Sequence, residues 1–135
     1  MKRNGLLIGL VLGWLVAGLA LAFEPGIYDI TMQAGEDYVL TMNVKDSLGS
    51  PVDLTGYSYA AQMRTKPAPV GSVLANYSTT IVTPSAGLIR VKLSKEQTLA
   101  NSGKAGTWDL RQTDPQGQVT YLLTGKCTVK PTTTR

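Results

Sequence analysis

From Tyr38 to Val129 this chain repeatedly alternates apolar and polar residues. That period of two dictates extended backbone with one buried face. Tyr38, Leu40, Met42 and Val44 alternate with Val39, Thr41, Asn43 and Lys45. Tyr57, Tyr59, Ala61 and Met63 face one way, with Ser58, Gln62 and Arg64 opposite. Ile89, Val91 and Leu93 oppose Arg90 and Lys92, and Trp108 and Leu110 oppose Asp109 and Arg111. Ile27 to Gln33 reads as a first strand, reached through Pro25-Gly26. Gln118 to Val129 reads as the last, with Val119, Tyr121, Leu123, Cys127 and Val129 on one face. Gly125 interrupts that strand and marks a bulge or bend. Val73 to Val82 is weakly patterned and reads as one or two short strands broken before Pro84.

Turn chemistry separates these segments. Asp46 to Pro51 combines Asp, Ser, Gly, Ser and Pro, and Asp114-Pro115-Gln116-Gly117 has the residues of a type I turn. Lys66 to Ser72 carries Pro67, Pro69 and Gly71, so it is an exposed connection and not a central strand. Ser94-Lys95-Glu96-Gln97 is a capping box, and the helix it opens stops by Gly103. It is the one helix expected in the domain. About seven strands with frequent turns predict an all-β fold, an immunoglobulin-like β-sandwich, with a partly closed barrel as runner-up.

Ahead of this domain, residues 5–23 carry no charge, while Lys2 and Arg3 precede them. As a helix the run would span about 28 Å, close to the hydrocarbon thickness of a bilayer. An N-terminal hydrophobic helix is therefore expected over residues 1–23, with a β-sandwich domain over 24–130 and a flexible tail, extended or mobile, over 131–135. Three uses of the helix stand open. Ala20-Leu21-Ala22 suits signal cleavage, leaving Phe23 as the mature start. Gly5, Gly9, Gly13 and Ala17 fall at intervals of four and line one helix face for close packing in a retained anchor. The same helix could instead be an arm clamped against protein. If it is retained in a membrane, Lys2 and Arg3 stay on the cytoplasmic side.

Composition excludes several chemistries. There is no histidine, which removes Ser-His-Asp and Cys-His catalysis and the commonest metal ligand. Cys127 is the single cysteine, so no disulfide forms within the chain, and it reads as a small buried hydrophobe. The net charge of +4 includes Lys2 and Arg3. Arg90, Lys92 and Lys95 form the densest basic group and read as a solvated sheet face, since no aromatics interleave as a nucleic-acid groove requires. Glu36-Asp37 lacks the further oxygen ligands of a cation loop. Gly103 and Gly106 lack the Lys-Ser/Thr of a phosphate loop. Asn76-Tyr77-Ser78 matches a glycosylation tripeptide, which matters only in a eukaryotic secretory host. No catalytic, metal or cofactor residue is expected.

Two runs carry a likeness to known proteins: YDITMQAGEDYVLTMNVKDSLGSPVDLTGYSYAAQMR, and later WDLRQTDPQGQVTYLLTGKCTVKP. Together they resemble a family of small β-sandwich proteins of tailed bacteriophages and prophages, over residues 26–131. The opening Tyr-Asp-Ile-Thr, the Lys-Asp strand end and Asp53-Leu54-Thr55-Gly56-Tyr57 are the more specific part. The resemblance implies a virion structural role similar to collar and tail-fibre-attachment proteins. Its expected partners are other virion proteins (tail tube, fibre or capsid subunits), in a homo-oligomeric ring or lattice, with no nucleic acid. The family members begin close to the first strand, so the apolar leader is a departure.

Two functions are therefore expected. One is a repeated, non-enzymatic collar, adaptor or decoration subunit of a virion. The other is an exported or membrane-anchored bacterial binding domain, displayed through residues 5–23 at the inner membrane or in the periplasm or extracellular space. For either, the candidate interface is Ile27, Tyr28 and Ile30 on a candidate edge strand, and Pro67, Pro69 and Val70 in the pre-ordered loop. The C-terminal arm is a third contact candidate.

Overall fold

The computed structural model describes residues 6–10, 13–16 and 25–133. Strands β1 (Leu6–Leu10) and β2 (Gly13–Val16) come first, followed by β3 (Gly26–Ile27), β4 (Ile30–Gln33) and β5 (Tyr38–Asp46). β6 (Ser58–Arg64) and β7 (Val73–Thr83) lead to a short 3-10 turn at Pro84–Ala86 and then to β8 (Leu88–Leu93). Helix α1 (Lys95–Ala100) precedes the final pair, β9 (Ala105–Thr113) and β10 (Val119–Lys130). The strands form one curled sheet in the order β2, β1, β5, β8, β7, β6, β9, β10, β3, with β4 also paired to β10. The fold is all-β, as the alternation requires.

The curl is made by β7. Its first half pairs with β6, through Tyr77↔Ala61 and Ala75↔Met63, and its second half with β8, through Thr79↔Val91 and Ile81↔Ile89. One continuous strand of 11 residues stands where one or two broken strands are expected. Its pattern is weak because it changes partner midway, and a register shift between Ile81 and Thr83 disturbs the period again. The inner face of the curl is the core. Met42, Val44, Ile89, Val91, Leu93, Met63, Trp108 and Leu110 are buried there, on the faces the alternation assigns. Full burial of each aliphatic side chain contributes about 1.5–3 kcal/mol.

β10 departs from its expected face. Val119 and Tyr121 are 50% and 44% exposed, while Leu122 and Leu123 are both buried. The register against β9 shifts between Tyr121 and Leu123, so the extra residue of a bulge exchanges the two faces. Gly125 is not the bulge. A Cβ there would collide with the carbonyl of Tyr28, where the chain passes from β3 to β4. That crossing is tightly held. Tyr28 N–H donates to Thr124 O (2.8 Å), Lys126 N–H to Asp29 Oδ1 (2.9 Å), and Trp108 Nε1–H to Tyr28 O (2.7 Å).

Local signals are realised closely. Ser94 and Gln97 form the reciprocal capping box of α1. Thr98 is fully buried, and its hydroxyl accepts from Gly35 N–H (3.0 Å) and faces Glu36 O (2.9 Å), so the helix is pinned to the β4–β5 turn. Asp114 Oδ1 accepts from the N–H groups of Gln116 (3.0 Å) and Gln118 (2.8 Å), closing the β9–β10 turn. Cys127 is buried against the Tyr77 hydroxyl, with Oη and Sγ 3.1 Å apart. Burial pushes its thiol above the ordinary range, with the Tyr77 hydrogen bond opposing.

The expected helix over 5–23 is not what the described part of that segment forms. β1 and β2 are antiparallel, and β1 pairs with β5 from Leu6↔Asp46 to Leu10↔Met42. The physical reason lies in β5. It is paired with β8 on one side only, so its other side offers unpaired backbone to a Leu-, Ile- and Val-rich segment. Gly9 and Gly13 lie in these strands, opposite Asn43 and Leu10 respectively. Gly5 and Ala17 lie outside the described residues, so the four-residue ladder is not displayed as a helix face. Among the described residues, no helix is long and apolar enough to cross a membrane.

Candidate functional site

Three surfaces could carry function, and each follows from where the sheet ends or turns outward. The first is the β5 edge. Val44 N–H donates to Gly87 O (2.8 Å), and Val44 O accepts from Val52 N–H (3.0 Å), so these groups point to the β8 side. By alternation, the amides and carbonyls of Thr41, Asn43 and Lys45 point the other way. β1 takes up the stretch from Met42 to Asp46, and among the described residues no strand pairs with Tyr38 to Thr41 on that side.

The second surface is the opposite end of the sheet. β3 and β4 run parallel to β10 and form its outer edge. Ile27 is 79% exposed there, Tyr28 is half-buried beside Trp108, and Ile30 is buried at 2% exposure. Ile27 could therefore meet a partner through its side chain, whereas Ile30 presents only backbone.

The third surface is the outer face of β7, β6, β9 and β10, roofed by the loop between β6 and β7. Pro67, Pro69 and Val70 in that loop are exposed. Its base is closed by Thr65 N–H to Ser72 O (2.9 Å) and Ser72 N–H to Thr65 Oγ1 (2.9 Å). Gly71 is required because a Cβ there would strike the backbone of Lys66. Arg64 Nη2 donates to the Gly71 carbonyl and ties the loop to β6.

Beneath the loop lies an open cavity of about 380 Å³. Its floor is set by register. Gln62 is opposite both Asn76 and Asp109, and Ala60 is opposite Arg111, which is in turn opposite Tyr121. Gln62 Nε2 donates to Asn76 Oδ1 (2.9 Å), and Arg64 Nη1 reaches Gln62 Oε1 at 3.4 Å. Arg64 Nε is buried and has no hydrogen-bond partner, a costly state for a guanidinium N–H. Sequence reading takes these residues one strand at a time, as solvated outward positions. The signal that could have found them is polar planar residues at outward positions on three segments at once, with the bare methyl of Ala60 among them.

Burial raises the Asp109 carboxyl above the ordinary carboxylate range, with the Arg111 and Arg64 charges pulling it back down. A folded-state value above the unfolded one means that ionised Asp109 opposes folding near neutral pH. The penalty fades as pH falls through the folded value and is gone below the unfolded one. Asp109→Asn is therefore expected to stabilise the protein slightly at pH 7, solvent screening keeping the effect small. The gain should vanish at strongly acid pH, which thermal melts across pH would show.

The basic group at Arg90 and Lys92 lies exposed on the outer face of β8, opposite buried Ile89, Val91 and Leu93. Among the described residues, no group of three or more His, Cys, Asp or Glu could hold a metal ion. No family model and no curated protein matches this chain.

Proposed function

We propose that this chain is a non-enzymatic structural subunit of a bacteriophage particle: a collar, adaptor or decoration domain of immunoglobulin-like sandwich type, repeated in a ring or lattice. The observation that carries this reading is the β5 edge. It takes an extended apolar segment in a five-pair antiparallel register. An edge of that kind is suited to strand exchange between neighbouring subunits, which binds through backbone and needs no catalytic group. The exposed Ile27 at the other end of the sheet and the Pro-rich loop are further contact surfaces. Partners would be neighbouring virion proteins and further copies of this chain.

Immunogold labelling of purified particles, with mass spectrometry of the protein's N-terminus, tests the proposal. Periodic labelling at one position on the particle, with Met1 retained, is the expected result. Particles free of the protein would refute it.

A second reading has its own supporting observation, the charge-free length of residues 5–23 ending in Ala20-Leu21-Ala22. In a bilayer that segment is long enough for a spanning or signal helix, and the domain would be an exported or anchored binding module. A mature start at Phe23, on protein recovered from the periplasm, would select this reading.

A further inference from the structure

We propose that the cavity on the outer face of β6, β9 and β10 binds a pyranose unit of a glycan, through Gln62, Asn76, Asp109, Arg111 and Tyr121. The inference goes beyond the structural role and does not depend on it.

The argument is one of matching chemistry. A sugar ring presents vicinal hydroxyls that donate and accept at once, with an apolar face of C–H groups. It is recognised by planar side chains with fixed donors and acceptors, beside an aromatic ring, over a shallow depression. The floor of this cavity supplies each part. The amides of Gln62 and Asn76 offer donors and acceptors side by side, held together by their mutual hydrogen bond. Asp109 offers two acceptor oxygens, and Arg111, its close charge partner, a fork of donors. Ala60, opposite Arg111 and flanked along β6 by Gln62, leaves the depression that a longer side chain would fill. Tyr121, 44% exposed and opposite Arg111, supplies the ring. The volume of about 380 Å³ falls in the range of small-molecule sites.

Other ligands fit less well. A simple anion would meet the Asp109 carboxylate, while Arg64 is already engaged with Gly71 and Gln62. A divalent cation would find one carboxylate between two guanidinium groups. A nucleic-acid strand would need several cations and several exposed aromatics, against one exposed tyrosine here.

Residue-resolved amide NMR of the full-length protein tests the proposal. It would be titrated separately with glucose, galactose, mannose, N-acetylglucosamine and glucuronate to high millimolar concentration, with acetate as control. At least one sugar is expected to give saturable shifts centred on Ala60, Gln62, Asp109 and Arg111. Asp109→Asn and Tyr121→Ala are each expected to weaken that sugar about tenfold or more. Asp109→Asn should do so without loss of thermal stability, which separates lost recognition from lost folding. The proposal is overturned if no sugar saturates, if Asp109→Asn binds as the parent does, or if acetate alone reproduces the shifts.

Discussion

Trp108→Ala is expected to cost about 3–5 kcal/mol of folding stability, a large share of what a domain of this size holds. Trp108 is 2% exposed, and its ring lies edge-on to Tyr28 at 6.5 Å and tilted against Tyr77 at 5.9 Å. Its removal leaves a cavity between the two halves of the curl. It also takes away the Nε1–H that satisfies Tyr28 O, at the point where β3 gives way to β4. The two losses separate by substitution. Trp108→Phe keeps most of the volume and forfeits the hydrogen bond, and should cost about 1–3 kcal/mol. Urea denaturation of both variants measures the difference. If Trp108→Ala unfolds at the parent's midpoint, the packing of the curl around this ring is wrong.

The second large effect concerns the β5 edge. A chain beginning at Glu24 lacks β1, so the outward backbone groups of Asn43 and Lys45 lose their strand partner. Such a chain is expected to self-associate with a dissociation constant in the micromolar range, at concentrations where the full chain remains monomeric. Asn43→Pro removes an outward N–H from the edge, where proline is tolerated, and should abolish the association while the fold persists. Sedimentation velocity over a concentration series gives the answer. A truncated chain that stays monomeric throughout would remove the β5 edge as an assembly surface, and with it the chief support for the structural role.

Much of this architecture was legible because its causes are local. The buried faces of β5, β6 and β8 follow from period-two alternation, α1 from its capping box, and the β9–β10 turn from the Asp114 carboxylate. What could not be read depends on partners distant in sequence. β7 alternates poorly because β6 and β8 each claim half of it. Leu122 and Leu123 are adjacent and both buried, which no alternation allows without the bulge against β9. The purpose of Gly125 is visible only once Tyr28, nearly a hundred residues earlier, is seen lying across it. The leader reads as a helix because a charge-free run taken alone has no other way to satisfy its backbone away from water. A sheet with a vacant side supplies one. The cavity floor was hidden for a related reason. Gln62, Asp109 and Arg111 are unremarkable singly and gain meaning from cross-strand register.

The parallel pairing of β3 and β4 with β10 sets how the domain would bear load. The chain joins this end of the sheet at Gly26, beside Leu123, and leaves it past Lys130, beside Gln33. Tension applied between these two points pulls the paired strands lengthwise past each other. The rungs of the ladder then resist together and do not peel one by one. A module with its ends placed this way can sit in line between two bodies and transmit a pull, yielding in shear only when the whole seam slips at once.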